Sequence, residues 1–161
     1  MGGSGQFGIT LSKLLLKKRH FIIVTTRNVK RAKKKINISD NQLKIVKLDI
    51  LKLKQIEKII LKYNPDYIFY FASQSSPNLS FKKKKQTYLS NFVGCRNFLK
   101  IIKIKNLNCK FLNACSSEIF AKTNKKLNIN SKKKPISPYG KSKLLSFNIT
   151  KKYRTNHLVN A

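Results

Sequence analysis

Short apolar runs alternate along the chain with longer stretches in which apolar residues recur every three or four positions. Phe21 to Thr25 (FIIVT), Lys44 to Leu48 (KIVKL), Tyr67 to Phe71 (YIFYF) and Cys109 to Ala114 (CKFLNA) have the length of strands and are too short for buried helices. Between them, Leu53, Ile56, Ile59, Ile60 and Tyr63 share one helical face, as do Phe7, Leu11, Leu14 and Leu15 nearer the start, and both sets predict amphipathic helices facing a sheet. Leu89 to Ile104 is apolar enough to predict a long buried helix. Ser137 followed by Pro138 has the form of an N-cap with proline in the first turn, which opens a helix expected to run to about Tyr153. Phe120 to Pro135, rich in lysine and asparagine and without periodicity, is expected to be a surface loop near the site. Strand alternating with helix predicts an α/β fold of βαβ units around a parallel sheet.

With 161 residues, 41% of them hydrophobic, the chain is expected to form one domain, residues 1–161, with a hydrophobic core. It contains no apolar stretch of about 18 residues, and Met1 to Gly5 lacks the charged-then-apolar layout of a signal peptide, so no membrane is expected and the compartment expected is the cytosol. Cys95, Cys109 and Cys115 show no metal-ligand spacing and are expected to be buried thiols, with no metal and no disulfide. His20 and His157 stand alone and carry no predicted role.

Charge changes the picture more than composition does. Against 36 Lys and Arg there are only 5 Asp and Glu, a formal net charge of +31. Such a field attracts polyanions nonspecifically, and runs such as Lys33 to Lys35 and Lys82 to Lys85 could contact phosphates. Yet the lysines are scattered among many Ile and Asn, the pattern of an AT-rich coding sequence. No zinc-finger spacing, basic region with heptads or aromatic ribonucleoprotein motif accompanies them, so a basic nucleic-acid-binding protein is the remote alternative.

Three local patterns carry chemistry. Gly2, Gly5 and Gly8 form a G-x-x-G-x-x-G sequence that opens the first helix, where backbone without side chains can approach a pyrophosphate and the helix N-terminus offers free N–H groups. The second strand of such a unit would end near Thr25-Thr26-Arg27, where an NAD-preferring site usually has an acid for the ribose hydroxyls. Arg27, Lys30 and Arg31 stand there instead and suit a 2'-phosphate, so NADP is favoured over NAD. Tyr139 and Lys143, four residues apart, share one face of the last helix, and an ammonium one turn from a phenol stabilises the phenolate a general base requires. Ahead of them Cys115-Ser116-Ser117-Glu118 follows a strand at its C-terminal end, where open α/β sheets place their sites.

In order and spacing these residues resemble the extended short-chain dehydrogenase/reductase family of NAD-dependent epimerases and dehydratases, and within it the GDP-mannose 4,6-dehydratases. The motifs are Gly2 to Gly8 with its Ser4-Gly5-Gln6 variant, Asp49 after the third strand, and Phe71-Ala72-Ser73-Gln74-Ser75 after the fourth. Asn91-Phe92-Val93-Gly94, Ser116 to Phe120 and Ser137 to Lys143 complete the set. The resemblance implies a Rossmann-like, doubly wound parallel sheet holding NADP against Gly2, Gly5, Gln6, Gly8, Arg27, Asp49, Ala72, Ser73, Tyr139 and Lys143. It implies that Tyr139 takes the sugar 4-hydroxyl proton, that Ser116 bonds the same oxygen, and that Glu118 takes the C5 proton and assists loss of water from C6. Ser75 and Ser117 would contact the substrate, GDP-mannose or a related nucleotide sugar. Relatives commonly pair through their long helices, so a homo-oligomer is a possible assembly.

Family members have a strand before the glycine loop and a substrate region after the sixth strand. Here the chain is expected to begin at the loop and to end near the start of that sixth strand, as the cofactor-binding half alone. Loss of a central strand is expected to cost as much as the net stability of a domain, about 5–15 kcal/mol. The alternatives left open are another epimerase or decarboxylase of the same family, and an inactive fragment.

Overall fold

A computed structural model describes residues 2–124 and 126–161. The first helix, α1 (Gln6–Lys17), starts at Gly5 and leads to β1 (Ile22–Thr26). Next come α2 (Val29–Ile36), β2 (Leu43–Lys47), α3 (Leu53–Tyr63) and β3 (Tyr67–Tyr70). Two short helices, α4 (Pro77–Lys82) and α5 (Lys84–Tyr88), run into a π turn at Leu89–Val93 and then α6 (Gly94–Ile104). β4 (Lys110–Asn113), a 3-10 turn at Ser117–Ile119 and α7 (Pro138–His157) complete the chain. Among the described residues no helix is long and apolar enough to cross a membrane.

Among the described residues the four apolar runs form β1 to β4, each end within one residue of the expected one. They form parallel pairs, β1 with β2 in the register Ile22 to Leu43, and β3 with β4 in the register Tyr67 to Lys110. The pairs are two separate sheets, and a cavity of about 620 Å³ lies between β1 and β3. The fold is thus the expected α/β arrangement of parallel strands and crossover helices, with its sheet divided.

Local chemistry sets the helix boundaries. Asn28 caps α2 through its Oδ1, which accepts the Arg31 N–H at 2.9 Å, and asparagines in the left-handed region, Asn37 (φ 44°) and Asn64 (φ 36°), end α2 and α3. Ser137 caps α7 as expected, its Oγ accepting the Gly140 N–H at 3.0 Å. The helix then runs past the expected end to His157.

Three expectations need correction. Phe7 and Leu14 of α1 are 76% and 54% exposed, and the buried residues of that helix are Gly8 and Ser12. The reason is close backbone packing: a Cβ on Gly8 would collide with Gly3, so the small residues must face inward. Leu89 to Ile104 is not one regular helix, because the π turn interrupts it and the Tyr70 hydroxyl donates to the Ser90 carbonyl at 2.6 Å. Cys115 is exposed while Cys95 and Cys109 are buried, because it follows β4 where the chain has left the sheet.

Burial is uneven. One cluster gathers Ile56 and Ile60 of α3, Ile68 and Tyr70 of β3, Phe98, Leu99 and Ile102 of α6, and Phe111 of β4. The other, around β1 and β2, consists of Val24, Ala32 and Ile36 with partly buried neighbours.

Candidate active site

Most of the residues singled out by sequence lie beyond the C-terminal ends of β3 and β4 or in the glycine turn packed on the end of β3. Gly2 adopts φ 71°, and a Cβ there would lie 2.6 Å from the Phe71 carbonyl carbon and the Ala72 nitrogen, so only glycine lets this turn sit against the end of β3. The turn closes with the Gly5 N–H donating to Gly2 O at 3.0 Å. Gly5 is the N-cap of α1 and offers no capping side chain, which leaves the first helical N–H groups, beginning at Gln6, directed outward. Gly3, not among the expected site residues, is buried against Val24. Its signal in the sequence is hidden by the neighbouring glycines.

Beyond β3, Ala72 and Ser73 are half-buried and Ser75 is exposed. This segment is held by Asn91, a residue that sequence motif alone placed without a role. Its Oδ1 accepts the Gln74 N–H at 2.9 Å, and its Nδ2 donates to Gln74 O at 3.1 Å and to Ser142 Oγ at 3.0 Å. Ser142 in turn donates to Tyr139 O at 2.7 Å. One buried amide therefore ties the loop after β3 to the first turns of α7, and the π turn supplies that amide. Ser80 adds a second tie from α4, its Oγ accepting the Tyr139 N–H at 3.1 Å.

Tyr139 and Lys143 lie on the inward face of α7 and are both buried. The Lys143 ammonium sits 5.9 Å from the centre of the Tyr139 ring and donates to the Ala114 carbonyl, just past β4, at 2.8 Å. Burial pushes the Lys143 ammonium below the ordinary lysine range, opposed in smaller measure by the Cys115 and Cys95 thiols. Two residues beyond Ala114, Ser116 Oγ accepts the Glu118 N–H at 3.2 Å and caps the 3-10 turn that carries Ser117 and Glu118. Gly140 packs on that turn so closely that a Cβ would strike the Glu118 carbonyl. Ser116 is half-buried, and Ser117 and Glu118 are exposed. The Ala114 bond, the Ser116 cap and the Gly140 contact thus bring the start of α7 and the 3-10 turn together beyond the C-terminal end of β4.

Arg27 and Asp49 stand apart from this group, at the ends of β1 and β2. Arg27 is exposed one residue ahead of the α2 cap, in company with exposed Lys30 and Arg31. Asp49 is half-buried, and its Oδ1 accepts the Leu51 N–H at 3.0 Å, shaping the turn into α3. The described residues of the 120–135 segment form no helix or strand, and the Ala121 N–H donates to Lys132 O.

A family model described as GDP-mannose 4,6 dehydratase matches residues 1–161. GDP-mannose 4,6-dehydratase of Vibrio cholerae is 25% identical to the chain, over 97% of it and 45% of that protein. Among solved structures, UDP-glucuronic acid 4-epimerase from Bacillus cereus in complex with UDP-glucuronic acid and NAD superposes with a TM-score of 0.87. It is 19% identical and covers 98% of this chain and 52% of that one. A double mutant of dTDP-glucose 4,6-dehydratase from Streptomyces venezuelae with NAD bound gives a TM-score of 0.85 at 18% identity, over 98% of this chain and 51% of that one. The chain spans less than half the length of the curated relatives it matches.

Proposed function

Because the chain belongs to the GDP-mannose 4,6-dehydratase family of NAD-dependent nucleotide-sugar epimerases and dehydratases, we propose that it forms the cofactor-binding and proton-transferring half of such an enzyme, converting GDP-mannose to its 4-keto-6-deoxy derivative. The observation that carries this reading is the docking of α7 on the end of β4, where Lys143 bonds Ala114 O and Gly140 rests on the Glu118 turn.

The residues present fit a nicotinamide dinucleotide. The turn at Gly2 requires a positive φ, and the α1 N-terminus is uncapped by any side chain, so a pyrophosphate can rest on bare backbone there. Arg27, Lys30 and Arg31, with no acid beside them, favour a 2'-phosphate and hence NADP, although the two solved relatives hold NAD. Asp49, Ala72 and Ser73 would line the rest of the cleft, and Lys143 would hold the nicotinamide ribose. The bound cofactor supplies reversible hydride exchange.

The remaining steps belong to the chain's own groups. Tyr139, beside the Lys143 ammonium, takes the proton of the sugar 4-hydroxyl while Ser116 Oγ bonds the same oxygen. Glu118 removes the proton at C5, acidic once C4 is a ketone, and passes a proton to the departing C6 hydroxyl, so that water leaves. The hydride taken from C4 would then be restored at C6 and a proton at C5, which gives the 4-keto-6-deoxy sugar. The exposure of Glu118 at the rim suits a group that meets substrate directly, with Ser75 and Ser117 as further contacts.

The experiment is a thermal-stability titration with NADP and with NAD, at physiological salt and again at high salt to remove attraction by the net positive charge. NADP should stabilise the protein at both salts, more than NAD does, and Gly5→Asp should abolish the effect. A response equal in wild type and Gly5→Asp, or lost in salt, overturns the reading. Formation of the 4-keto product from GDP-mannose, tested next, distinguishes dehydration from epimerisation.

A further inference from the structure

Three lysines in a row, Lys132 to Lys134, stand near the end of the segment that returns from the Glu118 turn to α7. Lys132 and Lys134 are exposed, whereas Lys133 is half-buried. The Lys133 ammonium lies 5.6 Å from the centre of the Phe120 ring and 5.6 Å from that of Phe147, and it donates to the Ile129 carbonyl at 2.8 Å. A cation drawn out of water needs partners that replace its hydration, and two ring faces with a carbonyl supply them. The two rings belong to different parts of the candidate site. Phe120 directly follows the 3-10 turn that carries Glu118, and its N–H donates to Ser117 O at 3.0 Å. Phe147 stands on α7 one turn after Lys143 and two turns after Tyr139, on the same face. The stretch bearing Lys133 is anchored on either side. The Ala121 N–H donates to Lys132 O at 2.9 Å, and Pro135 packs on Gly140, where an added Cβ would come within 2.9 Å of the Pro135 Cβ.

We propose that Lys133 is a positioning residue: its ammonium, held between the Phe120 and Phe147 rings, fastens the end of the Glu118 turn to the helix that carries Tyr139 and Lys143. The backbone near Glu118 does not fix this joint by itself. The Ser116 cap and the Phe120 bond lie within the turn, and Gly140 bears on the turn at the Glu118 carbonyl alone. A second contact, two residues beyond Glu118 and seven residues along α7 from Gly140, removes the rotation that a single contact permits. The charge carries the effect. An apolar side chain at this position would pack on the rings, but it would neither donate to Ile129 O nor be drawn electrostatically to both ring faces. The inference rests on the proton-moving role proposed for Glu118, whereas the fastening itself is read without substrate or cofactor.

The test is amide hydrogen exchange on the full chain. Lys133→Gln keeps a hydrogen-bond donor and loses the charge, whereas Lys133→Arg keeps the charge. Exchange at Glu118, Phe120 and Ala121 should quicken by about fivefold in Lys133→Gln and stay within about twofold of wild type in Lys133→Arg, with β1 and β2 unchanged in both. Phe147→Leu removes one of the two rings. In that background Lys133→Gln should add about twofold or less, the coupling expected of a charge that acts through the ring. Stabilisation by NADP should be the same in all these variants, so a wild type that does not respond to NADP defeats the proposed function and leaves exchange to decide the fastening. The inference is overturned if Lys133→Gln exchanges like wild type, or if Lys133→Arg exchanges as fast as Lys133→Gln. An effect of Lys133→Gln that is undiminished in Phe147→Leu, or that spreads over the whole chain, overturns it as well.

Discussion

The β3–β4 side of the molecule and the β1–β2 side share a parallel strand pair and differ in what covers it. Around β3 and β4 lie α3, α6 and α7, with Phe98, Leu99, Ile102, Ile56 and Ile60 almost wholly buried. Around β1 and β2 the buried apolar side chains are Val24, Ala32 and Ile36. Each side carries one part of the proposed chemistry: the proton-moving groups stand on the deep core, and the glycine turn and Arg27 stand on the shallow one. Groups that must hold one geometry thus rest on the better-packed scaffold, whereas phosphate contacts from backbone and surface cations tolerate a softer one.

The largest effect that would break this contrast comes from Phe98→Ala. Removing that ring from the deep core should cost about 3–5 kcal/mol and unfold both sides together, seen as coincident loss of helical and aromatic signals in a urea titration. Ile36→Ala should cost less, about 2–3 kcal/mol, and speed amide exchange in β1 and β2 while β3 and β4 stay protected. Equal exchange on both sides would remove the contrast.

Asn91→Ala should cost about 1–3 kcal/mol by taking away the Asn91 partner of the Gln74 carbonyl and leaving the Gln74 N–H only the longer bond to Ser90 Oγ at 3.2 Å. Its exchange signature should fall on residues 72–76 and the start of α7, with β1 and β2 untouched.

The smallest effect is one of pH. Because burial lowers the Lys143 pKa, the unfolded chain holds a proton that the folded chain has released over the window between the lowered value and the ordinary lysine value. The contribution of this residue to stability therefore rises with pH through that window. Burial raises Cys95, which works in the opposite direction, the unfolded thiol ionising first. Unfolding midpoints of wild type and Lys143→Met across an alkaline series should diverge, with the wild type showing the more positive slope. Parallel curves would mean that the lysine is hydrated in the folded state.

Much of the fold and the site is legible in the chain. Apolar runs bounded by polar residues locate all four strands, Ser137-Pro138 locates the start of α7, and a four-residue spacing puts Tyr139 and Lys143 on one face. The features that escape depend on tertiary contact. Asn91 looks like any asparagine in an asparagine-rich sequence, and only the approach of Gln74 and Ser142 gives it work. On α1, hydrophobicity points to Phe7 and Leu14 as the inward face, whereas backbone contact at Gly3 admits only Gly8. Helix α2 is obscure in the sequence because Arg31 and Lys33 to Lys35 hide the two buried residues, Ala32 and Ile36, that anchor it.

The π turn at Leu89–Val93 sets the rotational phase between α5 on one side of it and α6 on the other. One additional residue in a helical path turns everything beyond it by about 100°. Thr87, whose hydroxyl reaches Gln74, and Phe98, buried between Tyr70 and Phe111, can each face inward because that offset lies between them. Deleting a single residue within 89–93 would therefore do more than shorten a helix. It would swing α4 and α5, with the Ser80 that holds Tyr139, away from the face that α6 fixes, and the loss would be one of alignment while each helix kept its own hydrogen bonds.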